Sequence, residues 1–223
     1  QDAILPKAGL VGAEQGKLSR HVGLGGITFR PLHKLSLTAE AEVASSGGAY
    51  FQTSLYDYQK VRAKARYQAT KSLSLFADFT LLDNQNPLAG ANYKYQLQQE
   101  SLSLLWMPNA AKDWSFQGSY SRSTMNSDVG YLFPEFLIPL QSVYRDDAHT
   151  ATVLFNWNLP YAFHKMTPKL TAGGSLFISS GSRATSYYRP FVKLFLPVRK
   201  NMTWFTEWTY YDYGEVAYLY EGF

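Results

Sequence analysis

The stretch KVRAKARYQA, residues 60–69, alternates without a break. Lys60, Arg62, Lys64, Arg66 and Gln68 interleave with Val61, Ala63, Ala65, Tyr67 and Ala69. Successive side chains of a strand point to opposite faces, so an extended reading puts a ladder of cations on one side and apolar groups on the other. A helical reading would scatter both classes around the axis. The neighbouring segments repeat the pattern. Leu35, Leu37, Ala39, Ala41 and Val43 alternate with Ser36, Thr38, Glu40 and Glu42. Leu73, Leu75, Ala77, Phe79 and Leu81 alternate with Ser74, Phe76, Asp78 and Thr80. Each segment therefore predicts a long strand with one greasy and one hydrophilic side.

Working outward, the same reading predicts about ten strands, over 18–30, 35–45, 58–69, 72–83, 93–107, 113–127, 149–159, 168–179, 186–198 and 201–220. Short turns fall at Pro31–Lys34, Thr70–Lys71, Pro108–Lys112, Pro160–Thr167 and Arg199–Lys200, marked by recurring Pro and Lys. They alternate with longer connections at Ser45–Asp57, Asn84–Asn92 and Ser127–Asp147, and with a moderate one at Ser180–Thr185. The fold class that follows is all-β, an antiparallel up-and-down transmembrane β-barrel with about ten strands in this segment. Residues 1–223 read as a single β-barrel domain or part of one, with 1–17 a loop or unassigned segment.

Composition narrows the function classes. No stretch approaches the roughly 18 consecutive apolar residues of a membrane helix, so a membrane span requires a closed sheet. Aromatics reach 16%, while charged residues stay at 17%. With no cysteine, the chain has no disulfide scaffold, thiolate metal site or covalent haem attachment of its own. The net charge of +4 is dispersed through alternating strands rather than gathered into a basic patch, which argues against nucleic acid.

The aromatics sit toward strand ends. Tyr67, Trp106, Trp114, Trp157, Tyr161 and Trp204 lie near short turns; Tyr50, Phe51, Tyr56, Tyr58, Tyr93, Tyr131, Tyr144, Tyr187, Tyr188, Tyr210, Tyr211 and Tyr213 lie near long connections. Two headgroup belts would have this placement, since amphipathic rings favour the interface. A soluble β-sandwich also carries Trp and Tyr, but its strands average nearer five or six residues. Over nearly its whole length the chain resembles bacterial outer-membrane β-barrel proteins of the porin type. That resemblance is architectural, and it implies periplasmic short turns and extracellular long loops. The terminal strand departs from the family's habit: Phe223 fits, but the alternating positions before it, Glu221, Leu219, Ala217 and Glu215, match poorly. The side assignment places both chain ends outside, where complete barrels keep them periplasmic. An incomplete barrel, lacking strands at one or both ends, is the expectation that follows.

Three groups could carry chemistry. The first is the polar set Glu40, Glu42, Lys60, Arg62, Lys64, Arg66 and Asp78. Keeping apolar faces together predicts Glu42 opposite Lys60, Glu40 opposite Arg62 and Asp78 opposite Lys64. Four cations against three anions make a slightly positive lumen wall that favours anionic solutes. A cross-strand salt-bridge network inside a filled barrel is the alternative. The second group is the apolar centre of Ser127–Asp147, including Phe133, Phe136, Leu137 and Ile138, expected to fold inward as a constriction or to dock on a partner.

The third group is Asp146, Asp147 and His149, which resemble the Asp-x-His half of an omptin protease site. The second half needs an acidic pair, and Asp83 beside Asn84 supplies one acid. His149 also shares parity with Ala151, Val153, Phe155 and Trp157, the apolar set, so a hydrated loop end is the better reading. No metal-ligand spacing or nucleophile elbow is present, and Gly23, Gly25, Gly26, Gly173 and Gly174 suggest bends or bulges within strands. The expectation is a non-enzymatic, porin-like channel of the bacterial outer membrane for passive passage of small solutes, with no cofactor. Its partners would be outer-membrane lipid and either identical protomers or a periplasmic multihaem cytochrome. In that last case the barrel would be a sheath for an electron conduit; a purely structural barrel is a third option.

Overall fold

A computed structural model describes residues 2–6, 13–17, 20–46, 55–86, 92–108, 113–133, 138–160, 167–199 and 201–215. Two short strands, β1 (Asp2–Pro6) and β2 (Ala13–Lys17), pair with each other as a separate antiparallel ribbon, within the segment read as a loop or left unassigned. The rest is one antiparallel sheet of β3 (Arg20–Leu32), β4 (Leu35–Ser46), β5 (Tyr58–Gln68), β6 (Leu73–Asn86), β7 (Tyr93–Trp106), β8 (Trp114–Phe133), β9 (Ile138–Asn158), β10 (Lys169–Gly181), β11 (Thr185–Arg199), β12 (Met202–Thr209) and β13 (Asp212–Glu215). From β3 to β12 each strand bonds the next in chain order, and β13 prolongs the line of β12 along β11. This is an up-and-down meander. Its edge strands, β3 on one side and β12 with β13 on the other, are not bonded to one another.

The registers expected from the alternation are present. Glu42 pairs with Lys60, Glu40 with Arg62 and Lys64 with Asp78. A one-residue slip would have sent every apolar group to the other face, so the two-residue period selects this pairing. Following register partners across the sheet gives Phe29, Leu37, Ala65, Ala77, Leu102, Tyr120, Ala151, Leu176 and Tyr188, all apolar or aromatic and all on one face. That row starts near the short-turn end of β3 and finishes near the opposite end of β11. The strands are therefore steeply staggered against the hydrogen-bond direction. Stagger of this kind is what lets a sheet curl toward a barrel.

Two expectations are corrected. Ser127–Asp147 is not a long loop: β8 runs on to Phe133 and β9 begins at Ile138, giving strands of 20 and 21 residues. Beyond Val129, where the pairing with β7 ends, and Asp146, where that with β10 ends, the two strands continue bonded to each other and rise above the sheet. The bulges also fall elsewhere than at the glycines, at Phe29–Leu32 and Pro197–Arg199, segments that contain Pro31 and Pro197 and lie beside short turns.

Gly173 has a packing reason instead. A Cβ there would meet the Val153 carbonyl oxygen at 2.5 Å and the Phe191 ring at 3.1 Å, whereas one at Gly25 meets nothing within 4 Å. Gly173→Val should destabilise the folded sheet by roughly 1–3 kcal/mol through overpacking, with Gly25→Val close to neutral. Thermal unfolding followed by the β-sheet circular dichroism signal checks both; equal melting points would contradict the packing at β9–β11.

Candidate functional site

The two faces of the sheet differ in kind. Ile27, Leu37, Val61, Leu81, Leu102, Val153, Leu176, Val192 and Trp208 share the apolar face by register, and all are exposed, from 38% to 69%. The buried polar and charged strand residues Ser74, Asn84, Asn86, Thr171 and Ser179 lie on the other face, with Tyr58, Leu82, Tyr93 and Ala148 beside them. The polar side is thus the enclosed one and the apolar side the open one, the reverse of a water-soluble sheet.

All seven residues singled out as a polar wall, Glu40, Glu42, Lys60, Arg62, Lys64, Arg66 and Asp78, fall together on the polar face of β4–β6. The register brings opposite charges side by side. Even so, no ion pair within 4.0 Å joins Glu40, Glu42 or Asp78 to the ladder among the described residues. Glu42 instead accepts a hydrogen bond from the Tyr58 hydroxyl, and Arg66 lies over the Phe76 ring at 5.5 Å. Lys64, Arg66 and Asp78 are exposed, while Lys60 and Arg62 are half-buried. The ladder is therefore a row of solvated charges rather than a closed salt-bridge lattice.

One feature was missed by sequence reasoning. The end of the β4–β5 connection, Leu55–Asp57, is strapped over the polar face. Asp57 Oδ1 accepts from Ser46 N at 2.8 Å, Asp57 O accepts from Gln85 N at 3.1 Å, and Leu55 O accepts from Arg20 Nη1 at 3.3 Å. Beneath the strap Asn84, fully buried, accepts from Tyr56 N at 2.9 Å and donates to Asn86 Oδ1 at 3.3 Å. Ala44, Tyr58 and Leu82 form the small core there, flanked by Tyr95 and Leu97. Its only sequence signal is the pair Asn84 and Asn86, two residues apart and so on one face of a strand.

The aromatics divide differently from expectation. Near the short turns, Tyr67, Trp106, Trp114, Trp157 and Trp204 lie on the apolar face, with Trp106 packed edge-on to Trp114 at 5.0 Å. Toward the other end, Tyr56, Tyr58 and Tyr93 are buried on the enclosed side, and Phe177, Tyr187, Tyr211 and Tyr213 stack in succession at 5.3–6.4 Å. Tyr50, Phe51 and Tyr161 lie outside the described residues.

In the apolar hairpin tip, Phe133 and Ile138 are opposed at the strand ends, and Phe136 and Leu137 lie outside the described residues. Asp146, Asp147 and His149 sit within β9 rather than at a loop end. By register Asp146 is on the polar face, while Asp147 and His149 are on the apolar one. Three strand spacings of about 4.8 Å separate Asp83 on β6 from them, so the two halves of an omptin-type site do not meet. No group of three metal-ligating side chains occurs among the described residues. Compared with protein-family models, curated proteins and solved structures, the chain matches none.

Asn84→Leu keeps the branching of the side chain but removes the Oδ1 acceptor of the Tyr56 amide in a buried place. The expected cost is about 1–3 kcal/mol, with release of the strap. Hydrogen exchange at the Tyr56 amide should accelerate while exchange in β10 and β11 stays unchanged; uniform acceleration would mean that Asn84 holds the whole sheet and not the strap.

Proposed function

We propose that this chain is the wall of a bacterial outer-membrane β-barrel, its apolar face turned to lipid and its polar face lining a water-filled lumen that passes small solutes. The observation that carries this reading is the inversion of burial. Large apolar side chains on strand after strand are the exposed ones, side by side on one face, where a soluble monomer rarely leaves apolar surface contiguous. Hydrocarbon requires every backbone amide to be bonded, and an antiparallel meander supplies that bonding strand to strand. Trp and Tyr at the short-turn end of the apolar face suit a headgroup interface. The steep stagger suits barrel curvature. No helix among the described residues is long and apolar enough to cross a membrane, which leaves strands for the task.

The solute class follows from the ladder. Solvated Lys60, Arg62, Lys64 and Arg66 outnumber Glu40, Glu42 and Asp78, and unpaired charges in a narrow aqueous passage attract counter-ions. Anionic small solutes are the proposed cargo, and the strap at Leu55–Asp57 narrows the passage at one end.

Arg62→Glu with Lys64→Glu turns four cations and three anions into two cations and five anions. In planar bilayers under a salt gradient, the anion-to-cation permeability ratio should fall by roughly tenfold and the reversal potential should change sign. A conducting channel with an unchanged reversal potential would remove the ladder from the lumen. Absence of any conductance from inserted protein would remove the channel.

A further inference from the structure

The polar face is not uniform. On β8 it carries Ser115, Gln117, Ser119, Ser121 and Ser123, and on β5 it carries the basic ladder. On β11 it carries Tyr187, Arg189, Phe191, Lys193 and Phe195, ring and cation in turn. Register fixes the side: Arg189 pairs with Ser175, Ser175 with Thr152 and Thr152 with Ser119. Tyr187 continues sideways into the stack with Phe177, Tyr211 and Tyr213, and Phe195 lies 6.3 Å from Phe205.

These rings close no core. Tyr211, Tyr213 and Phe205 are 51–60% exposed, and Tyr187, Phe191 and Phe195 on the interior strand β11 are only half-buried. Apolar surface left beside water is unfavourable, and the serines of β8 avoid it. The two cations differ in their engagement. Lys193 is held by Glu207 at 2.7 Å and lies over the Phe195 ring at 5.9 Å. Arg189 is exposed and makes no hydrogen bond or ion pair among the described residues. Two residues separate it from Tyr187 on one side and from Phe191 on the other, about 7 Å along the strand. A carboxylate gripped at Arg189 therefore brings a ring attached to it onto one of those two side chains.

From this arrangement we infer that the polar face of β11 is a binding track for anions that carry an aromatic ring, aromatic carboxylates being the class. The inference rests on the lumen reading given above and narrows its solute. The ladder on β5 has no ring between its cations and gathers anions of any kind; β11 selects among them. Guanidinium and carboxylate pair through parallel hydrogen bonds, and ring against ring adds a contact that a simple anion lacks. A neutral ring leaves the guanidinium unused, and a small anion leaves the rings unused.

The probe is para-fluorobenzoate, followed by its fluorine NMR signal as it is titrated into the detergent-solubilised full chain. Saturable binding is expected. Acetate and neutral benzamide should displace the probe only at concentrations roughly tenfold higher than benzoate needs. Arg189→Gln should weaken binding by roughly tenfold. Phe191→Leu, which keeps apolar bulk beside Gly173 but removes the ring, should do so to a similar degree, roughly tenfold. Tyr188→Leu, on the opposite face, should leave binding unchanged. Absence of saturable binding, equal displacement by the three competitors, or equal affinity in wild type and all variants would overturn the inference. Chloride conductance in planar bilayers is read on the same preparations. A conducting channel that binds no fluorobenzoate removes this track alone; fluorobenzoate bound without any conductance removes the channel reading and leaves the track.

Discussion

A sheet with its apolar side exposed has to find a medium in which that exposure is favourable, and the rest of the structure follows from this constraint. In water, transfer of apolar surface to solvent costs about 25 cal/mol per Å², so the side chains from Ile27 across to Trp208 would draw the molecule into aggregates. In hydrocarbon the cost disappears, and a different requirement takes its place: every N–H and C=O must be bonded within the protein. Among the described residues the ladder from β3 to β12 meets that requirement strand to strand, apart from the bulges at Phe29–Leu32 and Pro197–Arg199, and leaves its two edges open. A membrane role accordingly needs both edges to be bonded by strands, whichever chain provides them.

The polar face obeys the complementary rule. Ser74, Asn84, Thr171 and Ser179 are buried on this face although they are hydrophilic. Burial of such groups is tolerable only with hydrogen bonds, and Asn84 shows how this is done: its amide joins the strap at Tyr56 to Asn86 on its own strand. The basic ladder sits lower on the same face and is left solvated rather than paired. Charges stay charged most cheaply in water, so a ladder of this kind belongs beside an aqueous space and not inside a packed core.

Strand number, strand direction and even the registers of β4, β5 and β6 were legible in the sequence, because two environments on opposite sides of one strand impose a period of two. Where both sides meet the same environment the period vanishes. Residues 127–133 and 138–147 carry Gly130, Tyr131, Pro139 and Tyr144 without alternation, and they read as a loop although they form the longest hairpin; above the sheet nothing distinguishes one face from the other. The inward turn of Tyr58 and Tyr93 could have been found from parity, since Tyr58 shares it with Lys60. The Asn84 strap could not, because it joins residues 28 positions apart and each member alone is an ordinary residue.

The central claim, lipid on one side of these strands and water on the other, is tested most directly by spin labels placed one at a time at positions 60–66 in protein reconstituted into liposomes. Oxygen, which partitions into hydrocarbon, and a water-soluble nickel chelate would be used as relaxation agents. The account predicts accessibility with a period of two and opposite phases, oxygen reaching Val61, Ala63 and Ala65 while the chelate reaches Lys60, Arg62, Lys64 and Arg66. Collision with the chelate at all seven positions, or oxygen and chelate rising and falling together, would contradict it.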